Sequence, residues 1–262
     1  LVTILIAPLM TCSARLPVYA LLIAAFIPNR QVGGLFNLQG LVLFGLYAAG
    51  IVSAMLVALV LKRFFKHTGG QPLLMELPDY HWPHMGNLAL GLWERARIFL
   101  VRVGTIILAL MIVLWFLLNY PAPPANASGA AIEYSLAGML GRGLQVVFEP
   151  IGFSWQICIA LIPAMAAREV AVAALATVYA IAGSEEEVSS LLSTVIADQW
   201  SLATALSMLV WFVFAPQCIS TLATVKRETG SWRMVGVMTV YLFGLAYGAA
   251  LITYQLTLAL TS

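Results

Sequence analysis

Near the start of the chain, one apolar run contains a thiol, a cation and two helix-breaking residues. It reads Pro8-Leu9-Met10-Thr11-Cys12-Ser13-Ala14-Arg15-Leu16-Pro17. In lipid this combination is expensive, because an unpaired charge near the bilayer centre costs at least about 2.5–3.5 kcal/mol and proline leaves backbone carbonyls that hydrocarbon cannot satisfy. The run is therefore predicted to line a polar pathway, with Pro8, Arg15 and Pro17 as its structural residues.

A second segment, far away in the sequence, repeats the pattern. It reads Ala215-Pro216-Gln217-Cys218-Ile219-Ser220-Thr221, so that Pro216 precedes a cysteine in the middle of an apolar run and hydroxyls follow. Paired interrupted helices in the two halves of a transporter indicate a substrate site near the membrane midplane. We expect their unwound turns to expose carbonyl oxygens and their cysteines to offer soft sulfur ligands.

The elements that must position these residues are membrane helices. Hydrophobic residues make up 62% of the chain, charged residues 9%, and the mean hydropathy is +0.96, which is outside the usual balance of a soluble domain. No RNA- or DNA-binding pattern is present. The composition predicts an all-α, polytopic transmembrane bundle. Its apolar runs are Leu38–Leu61, Val103–Asn119, Trp200–Val225 and Met234–Ser262, with two interrupted ones at Leu1–Pro28 and Pro150–Ala182.

Charge predicts which ends of the helices face the cytoplasm. Basic residues concentrate between Lys62 and Arg102 and between Lys226 and Arg233, and both stretches should be cytoplasmic. Two cytoplasmic stretches require an even number of crossings between them, whereas three apolar segments separate them. We therefore expect Gly143–Ala182, which carries two prolines and a charged pair, to be re-entrant or broken and to lie inside the bundle.

Two polar segments complete this prediction. Gly183–Gln199 is acidic, without Lys or Arg, and is interpreted as an external loop. Pro83–Arg102 has apolar residues at helical spacing and charges on its other faces, which predicts an amphipathic helix along the cytoplasmic interface.

One membrane domain with four parts results. Residues 1–61 hold the first interrupted segment and a transmembrane helix, and residues 62–102 form the cytoplasmic stretch. Residues 103–182 hold a transmembrane helix, an external loop and the broken segment. Residues 183–262 hold a further external loop, the second interrupted helix and the final transmembrane helix. The chain begins without Met or a signal sequence, so we expect additional sequence upstream.

At this point the motifs resemble a known family. Cys12-Ser13-Ala14-Arg15-Leu16-Pro17-Val18-Tyr19 and Cys218-Ile219-Ser220-Thr221-Leu222-Ala223-Thr224-Val225-Lys226-Arg227-Glu228-Thr229 resemble the two Gate motifs of the FeoB family. Further stretches resemble that family's membrane domain in the same order: Trp93-Glu94-Arg95-Ala96, Gly104–Phe116, Ala167-Arg168-Glu169-Val170 and Gly230-Ser231-Trp232. One departure is Gln217, where many members carry proline.

The resemblance implies a multi-pass permease for ferrous iron in the bacterial inner membrane, with Fe²⁺ as transported substrate and no resident cofactor. GTP would act only through an N-terminal G domain, since this chain has no Gly-x-x-x-x-Gly-Lys-Ser/Thr phosphate loop. The expected partners are the lipid bilayer, that G domain of the same protein, small accessory Feo proteins and further copies in a homo-oligomer.

Fe²⁺ binds weakly among the later first-row divalent ions, so selection must depend on ligand type and geometry. A transported ion must also leave, which predicts few protein ligands and residual water. The expected soft ligands are Cys12 and Cys218, with Met10 as a thioether neighbour. Oxygen donors complete the set: Ser13, Ser220, Thr221 and Glu169.

Several residues have a structural interpretation beside the functional one. Arg168 and Glu169 form either an ion pair that holds a broken helix or part of the ion path. Arg15 is expected to pair with a carboxylate or with carbonyls, because a cation would repel it. Cys158, without polar companions, is interpreted as a small buried hydrophobe.

Two other functions remain open. A nucleoside-transporter-like permease would also have paired broken helices, although its site should present Asn, Gln and aromatic groups rather than thiols. A non-transporting membrane scaffold would use the same interruptions as packing devices. Substitution of both Gate cysteines by serine separates transport from the scaffold interpretation.

Overall fold

The computed structural model describes residues 2–10, 12–32, 36–64, 84–121, 134–166, 168, 170–179, 181, 185–216 and 219–261. Within these ranges the chain is almost entirely helical. Two short strands of two residues each, β1 (Gln31–Val32) and β2 (Phe36–Asn37), pair in antiparallel fashion. The helices are α1 (Val2–Ile6), α2 (Leu16–Phe26), α3 (Leu38–Phe64), α4 (Met85–Asn119), α5 (Leu136–Phe148), α6 (Trp155–Ala166), α7 (Val170–Val178), α8 (Glu185–Gln199), α9 (Leu202–Phe214), α10 (Ile219–Thr229) and α11 (Trp232–Thr261).

Three helical stretches in the described part of the chain are long and apolar enough to cross a bilayer. They are Thr3–Phe26, Leu38–Arg63 and Trp232–Thr261, each above the roughly 20 residues that a span requires. Thr3–Phe26 contains the first predicted interruption. The second predicted interruption separates α9 from α10. The all-α membrane bundle with two interrupted helices is therefore confirmed.

The amphipathic segment and the apolar segment that follows it are one continuous helix. α4 runs for 35 residues through position 102, a length of about 52 Å at 1.5 Å per residue. No proline interrupts this stretch, so the backbone hydrogen bonds continue where the sequence character changes. The predicted amphipathic helix thus leads directly into the apolar segment at Val103 as one element, and its position along the cytoplasmic interface stays a prediction.

The acidic segment interpreted as an external loop is wrong in form, because Glu185–Gln199 is the helix α8. Val188, Leu192 and Ile196 recur every four residues and face the protein interior, and the last two are completely buried. α8 packs mainly on α2. Glutamates in its first turn are favoured by the helix dipole. The helical spacing of the apolar residues therefore predicts the secondary structure of this segment better than its charge content does.

The predicted irregular segment does break. The helical stretches Leu136–Ile151 and Trp155–Met165 meet at an angle of 101°, with Gly152 at φ 80° between them. Two hydroxyls of α9 hold this bend: Thr204 donates to the Gly152 carbonyl at 3.2 Å and Ser207 to the Ile151 carbonyl at 2.8 Å. This bend positions α6 and α7 against the core.

Two hydrophobic clusters organise the bundle. The larger cluster contains residues of α2, α6, α7, α8 and α9 together with the second half of α11. The smaller cluster contains residues of α1 and α10 with the second half of α3 and the first half of α11. α3 and α11 pass through both clusters without interruption, whereas both interrupted helices change cluster at their break.

Candidate metal path at two helix breaks

The first break lies between α1 and α2. A short 3₁₀ turn, Ala7–Leu9, ends at Met10, which has an extended backbone (φ −64°, ψ 134°), and Cys12 is extended as well. A second 3₁₀ turn, Ser13–Arg15, then leads into α2. Pro17 stands in the first turn of α2, where its missing N–H leaves no helical bond unmade. The break is therefore at Met10 to Cys12, and Pro17 begins the new helix.

The predicted ligands of this break differ in exposure. Cys12 is a free, half-buried cysteine, Ser13 is exposed and Met10 is 53% exposed. Cys12 and Ser13 are adjacent and Met10 lies two residues before Cys12, so these residues belong to one locality of the fold. By contrast, Cys158 in α6 is fully buried, in agreement with its interpretation as a packing residue.

Arg15 is completely buried behind this break. Its Nη2 donates to the Pro8 carbonyl at 3.2 Å, which is the carbonyl pairing expected for this residue. Its Nε and Nη1 have no hydrogen-bond partner, and neither has the hydroxyl of the equally buried Tyr19 one turn later. One face of the guanidinium thus closes the turn from Pro8, and the other faces the interior without a partner.

The second break follows α9. The helix ends at Phe214, Ala215 turns to ψ 148°, and α10 begins at Ile219. Thr221, in the first turn of α10, is half-buried. Cys218 and Glu169, two of the predicted ligands, lie outside the described residues, as does the side chain of Ser220. Their convergence on one site therefore stays a prediction.

Arg168 donates hydrogen bonds to backbone carbonyls at this second break. It lies between α6 and α7, is 3% exposed, and donates from Nη1 to the Phe212 carbonyl at 2.7 Å. Its Nη2 donates to the carbonyls of Ala215 at 2.5 Å and Pro216 at 2.8 Å. The guanidinium also lies over the Phe212 ring, 5.7 Å from its centre. The residue that we expected to hold a broken helix does so through carbonyl oxygens.

These contacts correct one expectation about the ligands. The unwound turn before Cys218 was expected to expose carbonyl oxygens to a metal, but the carbonyls of Phe212, Ala215 and Pro216 already accept bonds from a cation. A divalent ion cannot join them without facing the positive charge of Arg168. Sequence reasoning missed this because the donor stands 44 to 48 residues before its acceptors.

The packing places both breaks at the boundary of the two clusters. Residues before the first break belong to the smaller cluster and residues after it to the larger one, whereas the second broken helix passes from the larger cluster to the smaller one. Phe214, beside the second break, packs against both. The two broken helices therefore pass between the clusters in opposite senses, and both are interrupted at the boundary between the clusters.

Tyr19 connects the two breaks. It is fully buried in α2, and Cys12, Arg15 and Arg168 all act electrostatically on its hydroxyl. Tyr19 was not predicted to have a role, although it stands four residues after Arg15, which caps α2, and residues at this spacing share one face of a helix. Among the described residues the buried charged side chains are Arg15 and Arg168, and no carboxylate is buried.

Within the described ranges, no group of three or more His, Cys, Asp or Glu side chains forms a preformed metal cluster. What the described residues do form is a polar meeting point of two helix breaks, with one thiol, one phenol and two guanidinium groups inside an apolar bundle. A helical membrane protein built around two oppositely directed interrupted helices is the class that this arrangement defines.

Comparison with known protein families agrees with this class of membrane protein. The Gate model, described as "Nucleoside recognition", matches residues 100–232, and a model described as "Ferrous iron transport protein B C terminus" matches residues 43–95. The first match contains Arg168 and the second break. The chain therefore belongs to the FeoB family, as a Gate-containing membrane domain of it.

Individual relatives cover nearly the whole chain. A protein named Fe(2+) transporter FeoB from Leptospira interrogans is 40% identical over 97% of this chain and 38% of its own length. Its namesake from Methanocaldococcus jannaschii is 36% identical over 96% of this chain and 36% of its own. A Fe(2+) transport protein A/Fe(2+) transporter FeoB fusion protein from Porphyromonas gingivalis is 32% identical over 98% and 34%. The chain spans just over a third of the relatives that it matches. No solved structure matches it.

Proposed function

We propose that this chain is the permease part of a ferrous-iron uptake system and that Fe²⁺ passes between its two helix breaks. The observation that carries the proposal is that both breaks lie at the boundary of the two hydrophobic clusters, with Tyr19 of α2 close enough to Cys12, Arg15 and Arg168 to interact electrostatically with them. Relatives that cover nearly the whole chain are named Fe(2+) transporter, which supports iron as the substrate.

Charge decides which ligands the path needs. Arg15 and Arg168 place two positive charges beside the meeting point, and a divalent cation adds two more. Thiolate and carboxylate ligands must offset them. We therefore assign Cys12, Cys218 and Glu169 as the principal ligands of the transported ion, with thiolates also favouring a transition metal over Mg²⁺ or Ca²⁺.

Weaker donors complete the proposed path. Ser13 and Met10 stand beside Cys12, and Ser220 and Thr221 follow Cys218 in α10. Hydroxyl and thioether groups bind Fe²⁺ loosely enough to release it. Since the carbonyls before Cys218 are bonded to Arg168, these side chains are the oxygen and sulfur donors that remain for a passing ion.

The exposed surface suits a multi-pass protein of the bacterial inner membrane. Phe44 in α3, Trp115 in α4 and Val240 in α11 are exposed by two thirds or more, at 73%, 66% and 73%. Such apolar belts are stable against lipid rather than water. We propose that the bilayer covers them and that the basic ends of α3 and α10 face the cytoplasm.

GTP is assigned to a part of the system outside this chain. The relatives are much longer than the matched region, and one of them is a fusion with Fe(2+) transport protein A. A cytoplasmic G domain of the same protein and a small accessory Feo protein are therefore the proposed partners, together with further copies of the chain. This chain itself holds no resident cofactor and has no enzymatic role in the proposal.

A nucleoside permease is the second candidate, because the Gate match carries the description "Nucleoside recognition". The polar groups at the breaks argue against it. The two arginines are directed at backbone carbonyls, and the sequence at the breaks offers thiols and hydroxyls rather than the convergent amides and aromatic faces that a nucleobase requires.

Serine substitutions test the proposal. In cells producing the protein, Cys12→Ser and Cys218→Ser should each lower uptake of radioactive Fe²⁺, kept reduced by ascorbate, at least about tenfold, as loss of a metal ligand does. The matched control is Cys158→Ser, whose thiol is buried away from both breaks and whose variant should retain uptake.

Unchanged Fe²⁺ uptake in both Gate variants would contradict the proposal and favour the scaffold. Loss of nucleoside uptake in the same cells, with Fe²⁺ uptake intact, would favour the second candidate.

A further inference from the structure

Arg168 has an unusual set of contacts for a buried cation in a membrane protein. Three backbone carbonyls accept hydrogen bonds from it, and all three belong to the last turn of α9 and the two residues after it. The side chain that makes these bonds comes from the short connection between α6 and α7, 44 to 48 residues earlier. Its position therefore depends on a different part of the fold from the break that it holds.

Proline explains why these carbonyls need an outside donor. In a continuous helix the Phe212 carbonyl would accept from the N–H of residue 216, but Pro216 has none. The carbonyls of Ala215 and Pro216 lose their helical partners as well, because the chain leaves the helix there. Unpaired carbonyls are costly in a low-dielectric interior. Arg168 supplies the missing donors, with Nη1 replacing the N–H that proline lacks.

The planar guanidinium is specifically suited to this task. It directs donors from two nitrogens at fixed angles, so that one bond reaches into the helix and two reach past its end. Its contact with the Phe212 ring fixes the plane. A lysine carries the same charge on a flexible stem and offers a single nitrogen, which cannot reach acceptors on both sides in the same geometry.

We propose that Arg168 is the positioning residue of the second Gate break: it fixes the backbone of Ala215 and Pro216, close before Cys218 in the sequence, and so determines how the Cys218 thiol is presented. The proposal rests on the proposed function only in assigning that thiol to the iron path. Arg168 itself does not touch the ion. It transmits the arrangement of α6 and α7 to the second break through three hydrogen bonds.

The test measures the thiols directly. Cys218 is left as the single cysteine by Cys12→Ser and Cys158→Ser, and a companion form keeps only Cys12. Both are labelled with a small polar maleimide in membranes from cells producing the protein. Arg168→Gln should speed labelling of Cys218 at least about tenfold, because the loss of even one charge-assisted hydrogen bond changes a local opening equilibrium by that factor. Labelling of Cys12 should stay at its original rate.

Two further variants sharpen the result. Arg168→Lys should give a Cys218 rate between those of the parent and Arg168→Gln, because it retains the charge and a single donor nitrogen. Arg233→Gln, which removes an exposed arginine at the start of α11, is the control for charge and should leave both rates unchanged.

An unchanged Cys218 rate in Arg168→Gln would overturn the proposal. Equal acceleration at Cys12 and Cys218 would also overturn it, since that pattern indicates general loosening of the fold. The labelling requires no iron, so its outcome is independent of the uptake test: normal uptake by the serine variants would reject the iron path while leaving the role of Arg168 in place.

Discussion

The first and second breaks each depend on one buried arginine, but the two arginines come from different distances along the chain. Arg15 bonds to a carbonyl seven residues before it, within the same broken helix. Arg168 bonds to three carbonyls at least 44 residues after it, on another helix. The first break is therefore closed by its own sequence, whereas the second depends on how α6 and α7 are placed. Similar motifs can thus have different structural support.

The largest expected loss of stability comes from replacing Arg168, and it should exceed the loss from replacing Arg15. Arg168→Met leaves three carbonyls without donors and should lower the free energy of unfolding by about 3 kcal/mol or more. Arg15→Met removes one bond and also removes a buried cation with two unpartnered nitrogens, so its cost should be about 1 kcal/mol or less. Thermal unfolding of the two purified variants in the same detergent measures the difference. Equal losses of unfolding free energy in the two variants would show that the two arginines stabilise their breaks to the same extent.

A third irregular point, at Gly152, has no arginine and provides the next test. Its φ of 80° disfavours any other residue, and a Cβ there would clash with the Tyr254 ring. Gly152→Ala should therefore cost about 2–3 kcal/mol. Gly143→Ala is the control, because Gly143 lies in a helix with open space around its Cα, and it should be neutral or stabilising by up to about 1 kcal/mol. A melting temperature for Gly152→Ala that matches the control would contradict the expectation.

Neutral hydroxyls should contribute less than guanidinium groups. Ser207 donates to the carbonyls of Ile151 at 2.8 Å and Ala250 at 3.3 Å, so Ser207→Ala should cost about 1 kcal/mol. The half-buried Ser193, whose hydroxyl bonds to the Ser190 carbonyl of its own helix α8, serves as control and should change little as alanine. Denaturation of both serine variants under identical conditions gives the comparison. If Ser207→Ala lost as much unfolding free energy as Arg168→Met, the charge of the guanidinium would not explain the stronger contribution expected of Arg168.

The smallest effect is expected at Tyr19. Its buried hydroxyl makes no hydrogen bond of good geometry but lies close to the Arg15 guanidinium, so Tyr19→Phe removes only a weak contact and should change the melting temperature little. Unfolding monitored by intrinsic fluorescence in detergent checks this. A clear loss of stability would show that Arg15 and the hydroxyl form a full hydrogen bond, and the first break would then have more polar support than the bond from Arg15 to Pro8 alone.

The breaks themselves were predictable from the sequence because their causes are local. Proline and cysteine in the middle of apolar runs identified both interruptions, and composition identified the membrane bundle. The partner of Arg15 was also predictable in kind, since a buried cation beside a proline requires carbonyl or carboxylate oxygens. Local chemistry of this sort needs no knowledge of the rest of the fold.

Features that depend on distant packing were not predictable. No sequence pattern connects Arg168 with Phe212 and Pro216, and the role of Tyr19 appears only when α2 packs beside α7 and α9. The form of α8 was misjudged for another reason: its charges suggested a loop, whereas the apolar positions Leu192 and Ile196 are buried at helical spacing. The predicted convergence of Cys12 with Cys218 stays a prediction.

α3 and α11 are the unbroken helices that connect the two hydrophobic clusters. Each passes through both hydrophobic clusters as one unbroken rod, of 27 and 30 residues, while the two interrupted helices lie beside them. A rigid tilt of one cluster against the other would have to bend both rods, which costs helical hydrogen bonds. Torsional change at Met10, Cys12, Ala215 and Pro216, which lie outside the α-helices, requires no such bending. Movement along the path is therefore expected to be local, like the turning of two short hinged segments within a fixed frame.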